Sequence, residues 1–193
     1  MKKFLLIALL MPFIGLCAQN EQNIEIQREF LIRRFVNAYQ QAYEKKQMSF
    51  IKHVFSDDAL IITQTLEPAK AGKKVKYGGK GKKYKLIAEN KKQYIKRLQI
   101  VFTSSTSIRL NVSGLKIIPH RVHEKVYGVT FRQLWQGDGE GTFKDERNKE
   151  GFIFLMIDFT NSETMPTIQI RTWQPEKVAK EEGVFNLYDF ELI

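Results

Sequence analysis

Cysteine occurs once in this chain, at Cys17, and histidine three times, at His53, His120 and His123. Each scarcity excludes something. Cys17 falls inside an N-terminal stretch, MKKFLLIALLMPFIGLCAQN, that reads as a secretory leader. Lys2 and Lys3 form its positive end. Phe4 to Leu16 is apolar apart from Pro12 and Gly15, and Ala18 offers the small residue at which leaders are cut. The apolar stretch is shorter than the roughly 20 residues a bilayer span needs. Cleavage after Ala18 is expected to leave 175 of the 193 residues, beginning at Gln19 and holding no cysteine. Disulfides and thiol catalysis are then excluded, although the compartment permits disulfides. Acylation of Cys17 is the competing expectation, disfavoured because Leu16 stands where a lipid-anchor signal carries a small residue. No later stretch is long and apolar enough to cross a bilayer.

Recognisable site motifs are missing too. GGKG (residues 78 to 81) lacks the strand before and the helix after that let backbone N–H groups hold a phosphate. No nucleophile elbow or serine-triad spacing is visible. His120 and His123 stand three apart beside Glu124, which is too few ligands for zinc, so an exposed basic turn is expected there and no metal site. The segment GDGEGTFKDERNKEG suggests a calcium loop until its positions are counted. From Asp138, the sixth place holds Phe143 where glycine is required, and the twelfth holds Lys149 where a glutamate is required. A solvated hairpin tip is the expectation. Nothing asks for a cofactor.

Acidic residues are absent from residues 70 to 85, KAGKKVKYGGKGKKYK, which hold eight lysines. The formal charge is +10, and losing Lys2 and Lys3 with the leader makes it +8. Residues 70–92 carry ten lysines against Glu89, a local +9, so the rest of the cleaved chain sums to −1. The basicity belongs to one segment. Lys73, Lys74, Lys76, Lys80, Lys82, Lys83 and Lys85 form a candidate contact for an anionic lipid, a lipopolysaccharide phosphate or a protein partner. A leader argues against nucleic acid. The alternative is a solvated loop that serves only solubility.

With 43% hydrophobic residues, a chain of this length can bury one core. From Ile24 to Lys46 apolar residues recur at helical spacing through Leu31, Phe35, Ala38 and Ala42, widened by Ile32, Tyr39 and Tyr43. Arg33, Arg34, Glu44 and Lys45 are expected to face outward. MSFIKHVFSDDA reads as a short helix stopping at Asp57 and Asp58, and ALIITQTLE as a strand. The lysine-rich segment follows as a loop or loose hairpin. Asn90 with Gln93 makes a capping box for a helix whose apolar face is Tyr94, Leu98, Val101 and Phe102. After Ser105 the period becomes two, in SIRLNVSGLKIIP, KVYGVTFRQLW, GFIFLMIDF and TIQIRTWQP, with a last strand VFNLYDFELI. Helices first and antiparallel strands after define an α+β class.

This order, together with FSDDALII, YGVTFRQLW, GFIFLMIDF and IRTWQP, resembles the NTF2-like (cystatin-like cone) superfamily. It resembles more closely a group of secreted Bacteroidetes proteins of that superfamily to which no reaction is assigned. The match covers about residues 28 to 190, so residues 19–193 are expected to be a single domain. It implies a curved antiparallel sheet on the long helix, enclosing a cone-shaped cavity, and it admits a homodimer. Enzymes of the superfamily set an acid and a histidine inside the cone. No histidine here lies at an inward strand position, so the resemblance implies fold more than chemistry.

The best polar constellation is Arg132, Asp158 and Arg171, all within strands. A hairpin centred between Thr164 and Met165 would set Asp158 opposite Arg171, with Phe152, Phe154, Met156, Gln169 and Trp173 on the same face. Such a face offers a ligand grip through Arg132, Asp158, Arg171 and Trp173. The plainer reading is a cross-strand ion pair. Trp135, Trp173, Tyr127 and Phe131 are read as core before they are read as a stacking platform. The leading expectation is an exported, non-catalytic binding or scaffolding module of the cell envelope, periplasmic or associated with the outer membrane. The alternatives are an enzyme with Asp158 as base and Arg171 or Arg132 as electrostatic partner, and a structural protein whose cone is filled by its own aromatics.

Overall fold

The structure, a computed structural model, describes residues 5–66, 84–138, 150–175 and 190, with side chains from residue 23 onward except at 65, 66, 84 and 85. Lys73, Lys74, Lys76, Lys80, Lys82 and Lys83 therefore lie outside the described residues. So does the expected last strand, apart from Phe190. Helices α1 (Leu5–Glu44) and α2 (Met48–Val54) come first, followed by strands β1 (Phe55–Leu66) and β2 (Tyr84–Asn90). Then come α3 (Lys91–Ser104) and strands β3 (Ile108–Pro119), β4 (Val126–Gly137), β5 (Glu150–Asp158) and β6 (Thr167–Gln174). Among the described residues no helix is long and apolar enough to cross a membrane.

Two compact units divide between Asn37 and Ala38. The first is the greater part of α1. Its buried stripe holds the expected Ile32 and Phe35 together with Val36, while Leu31 is only half-buried, and Arg33 pairs with Glu29 one turn away at 2.6 Å. Residues 38–193 form the second unit, which carries the whole sheet.

α1 ends where Gln47 N–H donates to Ala42 C=O at 2.7 Å and Lys46 takes a positive φ of 55°, a Schellman-like stop. Lys46 holds this left-handed turn with its ammonium on the Ser105 carbonyl. Glu44, expected to face outward, instead accepts the Leu110 N–H at 3.0 Å. α2 stops at Val54, before the expected Asp57, because Phe55 is already extended (φ −87°, ψ 132°) and starts β1. The capping box of α3 is present, with Gln93 N–H on Asn90 Oδ1 at 2.9 Å and Asn90 N–H on Gln93 Oε1 at 3.0 Å.

The sheet runs β2-β1-β6-β5-β4-β3, curved and unclosed. Its strands are antiparallel except for β1 and β6, which pair in parallel, so the sheet is mixed where an antiparallel one was expected. β2 is the second arm of a hairpin with β1, a strand hidden in sequence behind the lysine run. One added curve has a local cause. Gly114, with φ 66°, sits in a bulge between Ser113 and Lys116, where the extra residue bends β3.

One face of the sheet, the inner face, presents Ile61, Val129, Phe131, Trp135, Ile153, Leu155, Arg171 and Trp173, each at most 1% exposed. Tyr39 and Tyr43 at the end of α1, and Tyr94, Leu98 and Phe102 of α3, complete this core. Burying each apolar side chain among these contributes about 1.5–3 kcal/mol, and the ring contacts, from 4.6 Å (Tyr39–Tyr43) to 6.3 Å (Tyr39–Phe131), add to that. Trp135, Trp173, Tyr127 and Phe131 are thus core residues.

Candidate functional site

Arg171 is fully buried in the middle of β6. Its Nε–H donates to Tyr39 Oη at 3.2 Å, and its guanidinium carbon lies 5.4 Å from the centre of the Tyr94 ring. Tyr94 and Tyr43 share a short hydroxyl–hydroxyl hydrogen bond. Burial, then the adjacent Tyr39 and Tyr94, push the Tyr43 phenol well above its ordinary value, and the Arg171 charge pulls against them. At neutral pH Arg171 is a fixed cation beside a Tyr43 phenol that keeps its proton. The cluster's hydroxyls can donate and accept hydrogen bonds, and the raised Tyr43 is a poor base-former at neutral pH. Glu89 and Arg97 form a largely buried ion pair next to it, with Arg97 5.6 Å from the Tyr94 ring centre.

The expected constellation is not assembled. Arg171 pairs across β5 with Leu155, and Asp158 pairs with Thr167. The hairpin centre falls between Ser162 and Glu163, earlier than Thr164–Met165, and Gln169 is an extra residue at an irregularity opposite Met156 and Ile157. An odd change of register turns every side chain to the other face. Phe152, Phe154 and Met156 therefore lie on the face opposite Arg171 and Trp173, and Asp158 is three residues along from Arg171's partner, about 10 Å away. The Asp158 carboxylate accepts the Thr160 N–H at 2.7 Å and stands beside a shallow depression of about 530 Å³ with His123, Glu124 and Lys125. Arg132 faces outward too, half exposed, paired with Glu150 and 6.0 Å from the Phe152 ring centre.

Of the histidines, His53 is exposed beside a second depression of about 520 Å³, lined also by Lys52, Asp57, Asp58 and Lys91. There Lys91 Nζ donates to Asp57 at 2.8 Å and holds that carboxyl below its ordinary value. His120 is not in an exposed turn. It is buried, packed 5.0 Å from Phe190 and 4.8 Å from His123, and its Nδ1 accepts the Val122 and His123 N–H groups at 3.1 Å each. Among the described residues no three histidine, cysteine, aspartate or glutamate side chains gather as a metal site.

The residues that the sequence reading missed as polar are Tyr39, Tyr43 and Tyr94. Their signal was the choice of tyrosine on helix faces where phenylalanine would pack as well, since a buried hydroxyl asks for a partner. Other buried polar residues of the inner face are Gln133, 2% exposed and opposite the Gly151 over which the Trp173 indole lies, and Thr63, paired with Trp173.

No protein-family model and no curated protein matches this sequence. Solved structures do match its fold. A candidate aromatic ring hydroxylase from Novosphingobium aromaticivorans superposes with a TM-score of 0.55 at 15% identity, covering 79% of this chain and 92% of its own. A candidate scytalone dehydratase from the same organism gives 0.55 at 13% identity over 82% and 93%. An NTF2-like protein from Cytophaga hutchinsonii gives 0.53 at 11% identity over 78% and 98%. At these identities the likeness is one of fold, and the fold is α+β and NTF2-like.

Proposed function

We propose that this chain is an exported, non-catalytic NTF2-like binding module of the bacterial cell envelope. One observation carries the reading: the ionisable groups set together in the core are an arginine engaged by Tyr39 and Tyr94 and the Tyr43 phenol, pushed above its ordinary value, while Asp158, His53 and His120 stand elsewhere. General acid–base work needs a group of suitable pKa within reach of the substrate. Export is supported by the leader pattern from Lys2 to Ala18. The lysine-rich segment adds a second contact, for an anionic lipid, a lipopolysaccharide or a protein partner, and a homodimer is compatible with the fold.

The test is native mass spectrometry of the chain isolated from its own organism's envelope. A chain beginning at Gln19 that retains a partner or an unaltered small molecule is the expected result. A chain found in the cytosol with its leader intact overturns export, and an acylated Cys17 overturns the unlipidated form. Turnover of a retained molecule, abolished in Tyr43→Phe or Arg171→Met, overturns the non-catalytic reading.

A further inference from the structure

Gly151 pairs directly with Gln133 across β4 and β5, so the two share the inner face. A side chain at residue 151 would collide with Trp173, because its Cβ would stand 2.3 Å from the indole Nε1. Glycine at this place is what lets the indole of β6 lie across β5 and bring its N–H next to Gln133. Directly opposed Cβ positions in such a pair are about 5 Å apart, within the reach of a glutamine side chain. Both residues are buried, Gln133 at 2% and Trp173 at 1% exposure. Neither the Trp173 Nε1–H nor the Gln133 Oε1 has a hydrogen-bond partner among the described residues.

Buried polar groups are nearly always satisfied, and two complementary exceptions at one spot ask for a common explanation. The indole can only donate, and the carboxamide oxygen can only accept. Phe131 and Trp135 flank Gln133 on its face of β4, and Ile153 and Thr63 pair with Trp173 from β5 and β1. We infer that Gln133 and Trp173 are the recognition pair of a ligand subsite for a small, flat, uncharged molecule bearing an acceptor and a donor side by side, as in a cis-amide or lactam. The ligand's carbonyl takes the Trp173 N–H, and its N–H gives to Gln133. A cationic ligand is disfavoured by Arg171, two residues along β6 on the same face. The inference rests on the binding-module reading, whose ligand class it names.

The experiment exploits the chain's having only two tryptophans, Trp135 and Trp173. Full-length chain labelled with ¹⁵N at tryptophan gives two indole signals, assigned with Trp135→Phe. On titration with 2-piperidone, a lactam, the Trp173 signal should move saturably. N-methyl-2-piperidone, which has lost the donor, should bind about tenfold more weakly, and Gln133→Met should lose about tenfold for the lactam. No saturable movement of the Trp173 signal, equal binding of the N-methyl compound, or unchanged binding by Gln133→Met overturns the subsite. Should Gln133→Met not fold, the comparison of the two lactams on the unaltered chain decides. A failed titration beside a partner retained in native mass spectrometry removes the subsite and leaves the module reading standing.

Discussion

Arg171 donates its Nε–H to Tyr39 Oη at 3.2 Å, joining the middle of β6 to the last turns of α1 across 132 residues of sequence. The bond holds a fully buried cation in a ring of phenols. Tyr39→Phe removes the acceptor and little else, and should destabilise the fold by about 1–3 kcal/mol, the cost of taking a partner from a buried donor. Urea denaturation measures it, and an unchanged midpoint would show that this bond is not a support of the core.

Gly151→Ala tests the seat of Trp173. The added methyl would meet Nε1, Cε2 and Cζ2 of the indole at 2.3, 2.4 and 2.7 Å, so the ring must move. Overpacking of this kind costs about 1–3 kcal/mol. The near-ultraviolet circular dichroism of the indole should change with it, and an unaltered spectrum would place Trp173 elsewhere.

Asp158→Asn should be nearly neutral, within about 0.5 kcal/mol, because asparagine offers the same Oδ1 to the Thr160 N–H. Breaking a buried Asp–Arg pair would instead cost about 3–5 kcal/mol. A melting temperature lowered on that scale would restore the ion pair that the observed register separates.

Burial, and then the neighbouring His123, hold the His120 ring below its ordinary value of 6.5. The unfolded chain therefore takes up this proton at a higher pH than the folded chain does. The stability contributed is intact above pH 6.5 and is lost as pH falls from there through the folded value. Protonated Nδ1 can no longer accept the Val122 and His123 N–H groups. His120→Asn can place Oδ1 where Nδ1 accepts. It should fold at neutral pH and show a smaller loss of thermal stability between pH 7 and pH 5, and an equal loss in both proteins would assign the effect to another group.

Glutamate at Lys73, Lys74, Lys82 and Lys83 should abolish salt-sensitive binding to anionic vesicles. At about 1 kcal/mol per lysine, the loss is on the order of a thousandfold. Phosphatidylglycerol vesicles and purified lipopolysaccharide, tested in parallel at low salt, separate the two anions. If the unaltered chain binds neither, the segment is a solvated loop.

How much of this was legible beforehand depended on whether the signal was local. Asn90 and Gln93 declare a helix start because both partners of the box lie within one turn. The period of β4 set apart the buried Phe131 and Trp135 in the same way, whereas the unbroken apolar run of β5 led to Phe152, Phe154 and Met156 on the face that Ile153 and Leu155 occupy. β2 was obscured because Leu86 to Ala88 is a short apolar run next to eight lysines, and its pairing with β1 closes over a long intervening segment. The Arg132, Asp158 and Arg171 group was misread for a sharper reason: the residue types were right, but the shorter turn and the extra Gln169 in β6 changed the register by an odd step.

Composition, period and capping, acting over a few residues at a time, determined from sequence the α+β class, the helical and strand segments and the local basicity. The tertiary structure alone decided which side chains meet. It buried Arg171 against Tyr39 and Tyr94, turned Arg132 and Asp158 away, and laid Trp173 over Gly151 beside Gln133. Those meetings depend on strand register and on the parallel pairing of β1 with β6, which join residues far apart in the chain. A change of one residue at a turn reverses a face while leaving every local propensity as it was.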